Sequence, residues 1–164
     1  KHNIIPDTVK LQLTVRSYTD EVRENLLSGI KRVAEGEAIA FGLPQNLLPV
    51  VEVKDEYTPA VFNTEAQSAR LAGVFKARFG ENRVVETQPV MGGEDFARYY
   101  RADRSLESTL FWLGAVKRAT WEEAQKSGKP LPSLHSPFFA PDPQPTLATG
   151  IEAMTAAALS VLGR

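Results

Sequence analysis

Between Val9 and Tyr18 every second residue is apolar: Val9, Leu11, Leu13 and Val15 alternate with Lys10, Gln12, Thr14 and Arg16. A period of two belongs to a β-strand with one buried and one polar face. Such a strand obliges the chain to supply both a neighbour and a cover. The cover follows directly. Thr19-Asp20-Glu21 offers a capping hydroxyl and two acids for the positive first turn of a helix. Val22, Leu26, Ile30, Val33 and Phe41 then recur at helical spacing until Gly42 and Pro44 stop the run. Val51 and Val53 alternate with Glu52 and Lys54, so Pro49 to Tyr57 reads as a second strand. One helix over two strands buries too little apolar surface to stand alone. Residues 1–57 therefore read as half of a split βαβ layer that something else must complete.

The remainder has a different style. After an extended crossing over Thr58–Asn63, Thr64-x-x-Gln67 matches a capping box. The helix it opens carries Leu71, Val74, Phe75 and Phe79 on one face and ends at Gly80. A short strand is expected from Arg83 to Glu86 and a short helix from Glu94 to Tyr100. Ser108 to Val116 is a continuous apolar run centred on Leu110-Phe111-Trp112-Leu113, the signature of a strand covered on both faces. Lys117 to Pro130 is a charged connection with one helical turn around Trp121. A final helix shows Leu147, Ile151, Met154, Ala158 and Val161 on one face. The expected fold class is thus α/β, in two parts: a one-sided sheet over residues 1–57 and a helix-covered layer over residues 58–164.

Charge and composition exclude several function classes. With 19 basic and 20 acidic residues the net charge is −1, which gives no electrostatic case for nucleic acid or an anionic membrane as partner. There is no cysteine, so disulfides and thiolate metal sites are out. No uninterrupted apolar run reaches the ~20 residues that span a bilayer, and Lys1-His2-Asn3 does not open a signal peptide. The cytoplasm is the expected compartment.

Three short stretches could carry chemistry. His135 lies in Pro132-Ser133-Leu134-His135-Ser136-Pro137-Phe138-Phe139, a loop stiffened by prolines. Taken alone, it is a loop histidine satisfied by backbone. Ser136 beside it is no nucleophile, because no strained elbow or third orienting group is visible. In Met91-Gly92-Gly93-Glu94-Asp95-Phe96 the paired glycines would let backbone N–H groups approach a bound carboxylate. Arg16 on its strand is, taken alone, a surface cation worth under ~1 kcal/mol in any ion pair. Asn3 opens Asn3-Ile4-Ile5-Pro6-Asp7 near a terminus.

Taken in series, Asn3-Ile4-Ile5-Pro6-Asp7, Thr14-Val15-Arg16, Met91-Gly92-Gly93-Glu94-Asp95-Phe96 and Leu134-His135-Ser136-Pro137 resemble the C-terminal part of the zinc-dependent aminoacylase and carboxypeptidase family. The branch most resembled is that of the hippurate and indoleacetyl-amino-acid hydrolases. The resemblance implies a hydrolase that cleaves the amide bond of N-acyl amino acids or similar substrates. It also implies zinc or another divalent metal, two ions in the complete enzyme, and a homodimer formed through the lid domain. Residues 1–57 would be the C-terminal half of that lid, entered at its third strand, and residues 58–164 the C-terminal part of the metallopeptidase domain, an incomplete two-domain fold. His135 would be a metal ligand, with Glu94 and Asp95 orienting it from behind. Asn3, Arg16, Gly92 and Gly93 would bind substrate, where a planar guanidinium can give a carboxylate two parallel hydrogen bonds. The family's remaining metal ligands and its Glu-Glu general-base motif have no counterpart here, so no catalytic residue is assigned and this polypeptide alone is expected to be inactive. A different class stays open beside the enzyme reading: a non-catalytic dimerisation or binding module on the same scaffold.

Overall fold

The computed structural model describes residues 2–163. Among these residues the regular structure is helical: α1 (Asp20–Ala40), α2 (Glu65–Phe79), α3 (Ala97–Ala102), α4 (Arg118–Ser127) and α5 (Pro143–Leu162). Single 3₁₀ turns lie at Gln45–Leu47 and Glu81–Arg83. No β-strand occurs among the described residues, which form helices joined by irregular segments, so the strand part of the expected α/β class has no counterpart among them. The expected strands at 9–18, 49–57, 83–86 and 108–116 all fail for one reason. A helix closes its hydrogen bonds within its own segment, whereas a strand exists only beside a partner, and no described segment forms a ladder along these four; the Ser108 and Ala115 carbonyls accept single bonds from the Thr64 and Asp142 amides, each at 2.8 Å.

The helices follow their local signals more closely. Thr19 accepts a hydrogen bond from the Val22 amide at 3.2 Å and caps α1, with Asp20 and Glu21 in the first turn. The helix ends at Ala40, and Gly42 takes a left-handed φ of 75°. α2 begins and ends as its sequence implies, but the capping box does not form. Thr64 turns away from its helix, and its Oγ1 instead accepts from the Ser108 amide at 3.0 Å. α3 starts later than expected, because Asp95 and Phe96 form a turn before it. α4 is longer than the single turn expected: an Arg118–Glu122 pair at i,i+4 braces it and left-handed Gly128 closes it.

The chain divides into two compact units. The first is Lys1–Phe62 with Gln88–Asp103, so it also takes in the Gly92-Gly93 stretch. Tyr57 gathers three arginines there. The Arg23 guanidinium lies 3.9 Å over its ring, Arg98 donates to its carbonyl at 2.7 Å, and Arg101 reaches its hydroxyl at 3.4 Å. Arg101 also donates to both oxygens of Asp20, at 2.9 and 2.7 Å. Phe62 stacks on Tyr100 with ring centroids 5.3 Å apart.

The second unit is Asn63–Thr87 with Arg104–Arg164. Its core is Leu71 and Phe75 of α2 against Ala153 of α5, with Val74, Phe79, Val84, Phe111 and Ala157 around them. Phe75 meets Phe111 edge-on at 4.9 Å, a geometry that adds ~0.5–1.5 kcal/mol to simple burial. Arg78 of α2 and Glu152 of α5 form an ion pair beside this contact.

α5 packs through its small residues. Ala153 is 3% exposed, whereas Leu147, Ile151 and Met154 stand 63%, 67% and 61% exposed. The large apolar stripe read from the sequence is therefore the uncovered side of the helix. At 20 residues, with Glu152 as its one charged residue, α5 is also long and apolar enough to cross a membrane by length and composition. The sequence reading missed this because polar residues interrupt the apolar run.

Candidate functional site

The end of the first alternating segment is tied to the glycine loop. Arg16 Nη1 donates to the Met91 carbonyl at 2.9 Å across 75 residues of sequence. Two residues on, the Tyr18 hydroxyl donates to the Pro89 carbonyl at 3.2 Å. The two side chains therefore act as paired pins on one loop. A Cβ built on Gly93 would lie 3.8 Å from Arg16 Nη1, which places the Gly92-Gly93 backbone against the guanidinium. Arg16 is exposed, and no carboxylate pairs with it among the described residues. The arrangement is an anchored cation beside a side-chain-free loop, able to receive a carboxylate from solvent.

Two more residues singled out by sequence belong to this unit. Glu94 Oε1 accepts from the Phe96 amide at 3.3 Å and closes the turn before α3. Asp95 contributes its carbonyl to the same turn, accepting from the Arg98 amide at 2.9 Å. Asn3 lies exposed in a bend near the start of the chain. The unit also contains an open groove of about 450 Å³ between α1 and residues 51–57, with Leu27, Val51 and Val53 among its walls and Lys31 and Lys54 among its cations. None of the sequence-derived site residues lines it.

His135 belongs to the second unit. It is the one non-glycine residue with positive φ among those described, at 68°. The Ser136 amide donates to the Ser133 carbonyl at 3.0 Å, closing a turn with His135 at its third position. A second turn follows at once, as the Phe139 amide reaches the Ser136 carbonyl at 3.0 Å. Ser136 Oγ accepts from the Phe138 amide at 3.2 Å, so this hydroxyl braces the loop. The left-handed position is one that glycine takes without cost, and another residue there costs on the order of 1–3 kcal/mol. The turn holds an exposed imidazole outward.

A dinuclear metal centre is not built from these residues. Among those described, no group of three or more His, Asp or Glu side chains could hold a metal ion. His135 offers a single donor.

Sequence reasoning overlooked Tyr18 and Asn63. Tyr18 was signalled by its period-two relation to Arg16. The Asn63 side chain donates to the Leu110 carbonyl at 2.8 Å and accepts from the Leu110 amide at 2.8 Å, a pairing between residues 47 apart that no local pattern announces.

Comparison with known proteins gives this geometry its context. No family model matches the chain, and no solved structure matches it. Curated proteins do. Over 119 residues, 70% of this chain, it is 33% identical to YhaA of Bacillus subtilis, which is named as an amidohydrolase. It is 32% identical over 114 residues to thermostable carboxypeptidase 1 of Saccharolobus solfataricus, again 70% of this chain. With an N-acetyldiaminopimelate deacetylase of Streptococcus pneumoniae it shares 30% identity over 128 residues, 78% of this chain. The matches span 27%, 26% and 32% of those proteins, so the chain corresponds to between about a quarter and a third of each relative's length. The relatives of this chain are amidohydrolases, carboxypeptidases and deacetylases.

Proposed function

We propose that the protein carrying this chain hydrolyses the amide bond of N-acyl amino acids or similar small substrates with the help of a divalent metal. The similarity over 70–78% of the chain to proteins named for amide-bond cleavage carries this reading. In it, Arg16 and the Gly92-Gly93 backbone hold the free carboxylate of the substrate, and Asn3 binds beside them. The Arg16–Met91 hydrogen bond supports this role, because a cation already anchored on one side loses less freedom when it grips a ligand.

His135 supplies one metal donor in this reading. Its support is the left-handed backbone, an unfavourable position kept by a residue whose side chain can ligate. Zinc suits an imidazole donor and, when bound, acts as a Lewis acid. In this reading the other donors and the general base come from outside this chain, so no step of the reaction is assigned to it alone. Residues 1–57 serve a homodimer contact in the same reading.

The test is an assay of the whole gene product against N-acetyl and N-benzoyl amino acids and dipeptides, with and without a chelator. Turnover that a chelator removes and zinc, manganese or cobalt restores is the expected result. Failure to cleave any of these substrates with any of the three metals, or cleavage indifferent to chelation, overturns the proposal.

A further inference from the structure

The glycine loop leads into α3, and two arginines of α3 fix that helix. Arg98 donates to the Tyr57 carbonyl at 2.7 Å. Three residues on, Arg101 Nη1 donates to both oxygens of Asp20, at 2.9 and 2.7 Å, while its Nη2 reaches the Tyr57 hydroxyl at 3.4 Å. A single attachment leaves a short helix free to swing about it. Two attachments define its direction.

Asp20 ties this anchor to the candidate carboxylate site. It is the first residue of α1 and lies four residues after Arg16. Residues 16–20 therefore hold the stretch 89–101 at three places: Tyr18 on Pro89, Arg16 on Met91 and Asp20 on Arg101. The connection between Gly93 and Arg101 is stiff. Glu94 Oε1 accepts from the Phe96 amide, the Arg98 amide bonds to the Asp95 carbonyl, and Ala97–Ala102 is helical. A displacement of Arg101 is thus passed back to Gly92 and Gly93, beside the Arg16 guanidinium.

The tethers differ in kind. Tyr18 makes one bond between neutral groups, whereas the bonds from Arg101 to Asp20 join two charges and are the stronger type. Both carboxylate oxygens are engaged, which restrains the pair in direction as well as distance. Both side chains are also partly exposed, so the pair adds little to folding stability. Its effect falls on position. A loop already held in place loses less freedom when it closes on a ligand, so releasing it weakens binding without touching the reacting atoms.

We propose that Arg101 is a positioning residue: paired with Asp20, it holds the Gly92-Gly93 loop against Arg16 and thereby sets the affinity for a substrate's free carboxylate. The inference rests on the carboxylate-binding role given to Arg16 above.

The test compares an N-acetyl amino acid with its carboxamide in the whole gene product. The readouts are KM and kcat where there is turnover, and Kd by calorimetry where there is none. Arg101→Ala is expected to raise KM or Kd for the acid about tenfold while kcat and the carboxamide constants stay within about twofold. Asp20→Asn should do the same, and the double variant should be no worse than either single one, because the two residues act as a unit. Arg101→Lys should recover part of the loss. All four variants should melt within about 3 °C of the parent.

Equal losses on both substrates, or a fall in kcat that follows a fall in melting temperature, make the pair a structural brace and overturn the proposal. An unchanged affinity for the acid overturns it, as does a double variant whose loss is the sum of the two single losses. A parent that binds the acid no better than the carboxamide overturns the role of Arg16 itself, and this inference with it.

Discussion

The side-chain amide of Asn63 pairs with both backbone groups of Leu110, donating to the carbonyl and accepting from the amide, each at 2.8 Å. One side chain here does the work of a neighbouring strand and fixes the start of α2 against the apolar run. Asn63→Asp keeps the acceptor and removes the donor, leaving a carboxylate facing a carbonyl. Asn63→Ala removes both bonds. Each substitution is expected to lower unfolding stability by about 1–2 kcal/mol, with the aspartate the worse, as read from denaturant midpoints.

Arg16 is expected to act on substrate affinity as well as on loop position. In the whole protein, Arg16→Ala should reduce kcat/KM toward a carboxylate-bearing substrate by roughly 10- to 100-fold, the loss of one charge-assisted contact. The fall should shrink for a substrate whose carboxylate is converted to an amide. Tyr18→Phe removes only the companion pin on Pro89 and should leave the discrimination between the two substrates intact. Equal loss on both substrates from Arg16→Ala would assign the arginine to loop anchoring alone.

His135 offers a separation of stability from ligation. Its left-handed backbone favours glycine, so His135→Gly should leave stability unchanged or raise it by about 1 kcal/mol. His135→Ala keeps the strain and gains nothing. Both should weaken metal binding by the whole protein, measured by competition with a chromogenic chelator. A glycine variant that binds zinc as tightly as the parent removes His135 from the metal site.

Gly150 sits on α5 where an added Cβ would come within 3.0 Å of a Leu113 methyl. That methyl ends a flexible, partly exposed side chain, which can turn aside. Gly150→Ala should therefore be stabilising by about 0.5–1 kcal/mol through helix propensity. Gly150→Leu should overfill the contact and cost about 1–3 kcal/mol. Melting temperatures of the two variants, moving in opposite directions, would confirm the close approach.

Phe75 of α2 packs against Phe79 of the same helix and against Phe111, and is 8% exposed. Phe75→Ala should cost about 3–5 kcal/mol, enough to unfold a unit whose buried core is this small. Loss of near-ultraviolet circular dichroism with retention of far-ultraviolet signal would show the packing lost before the helices.

The helices were legible because their causes are local. The Thr19 cap with its two following acids, the stop at Gly42, the positive-φ break at Gly80 and the apolar spacing of α2 each lie within a few residues of what they determine. The motif residues were legible for the same reason, as short strings. Arg16 and the Gly92-Gly93 loop were both singled out from sequence, yet the hydrogen bond that joins them spans 75 residues and has no periodicity to betray it.

By itself, then, the sequence determined where helices begin and end, which short stretches could carry chemistry, and that charge gives no reason to expect a nucleic-acid partner. Tertiary structure alone decided the rest. It withheld the strands, because an alternating pattern prepares a β-face but only a neighbour can satisfy its backbone. It diverted the Thr64 hydroxyl from its own helix to Ser108, where a buried amide needed an acceptor. And it packed α5 through Ala153 and Ala157, because small side chains let two helices approach closely while the larger stripe of Leu147, Ile151 and Met154 stays on the outside.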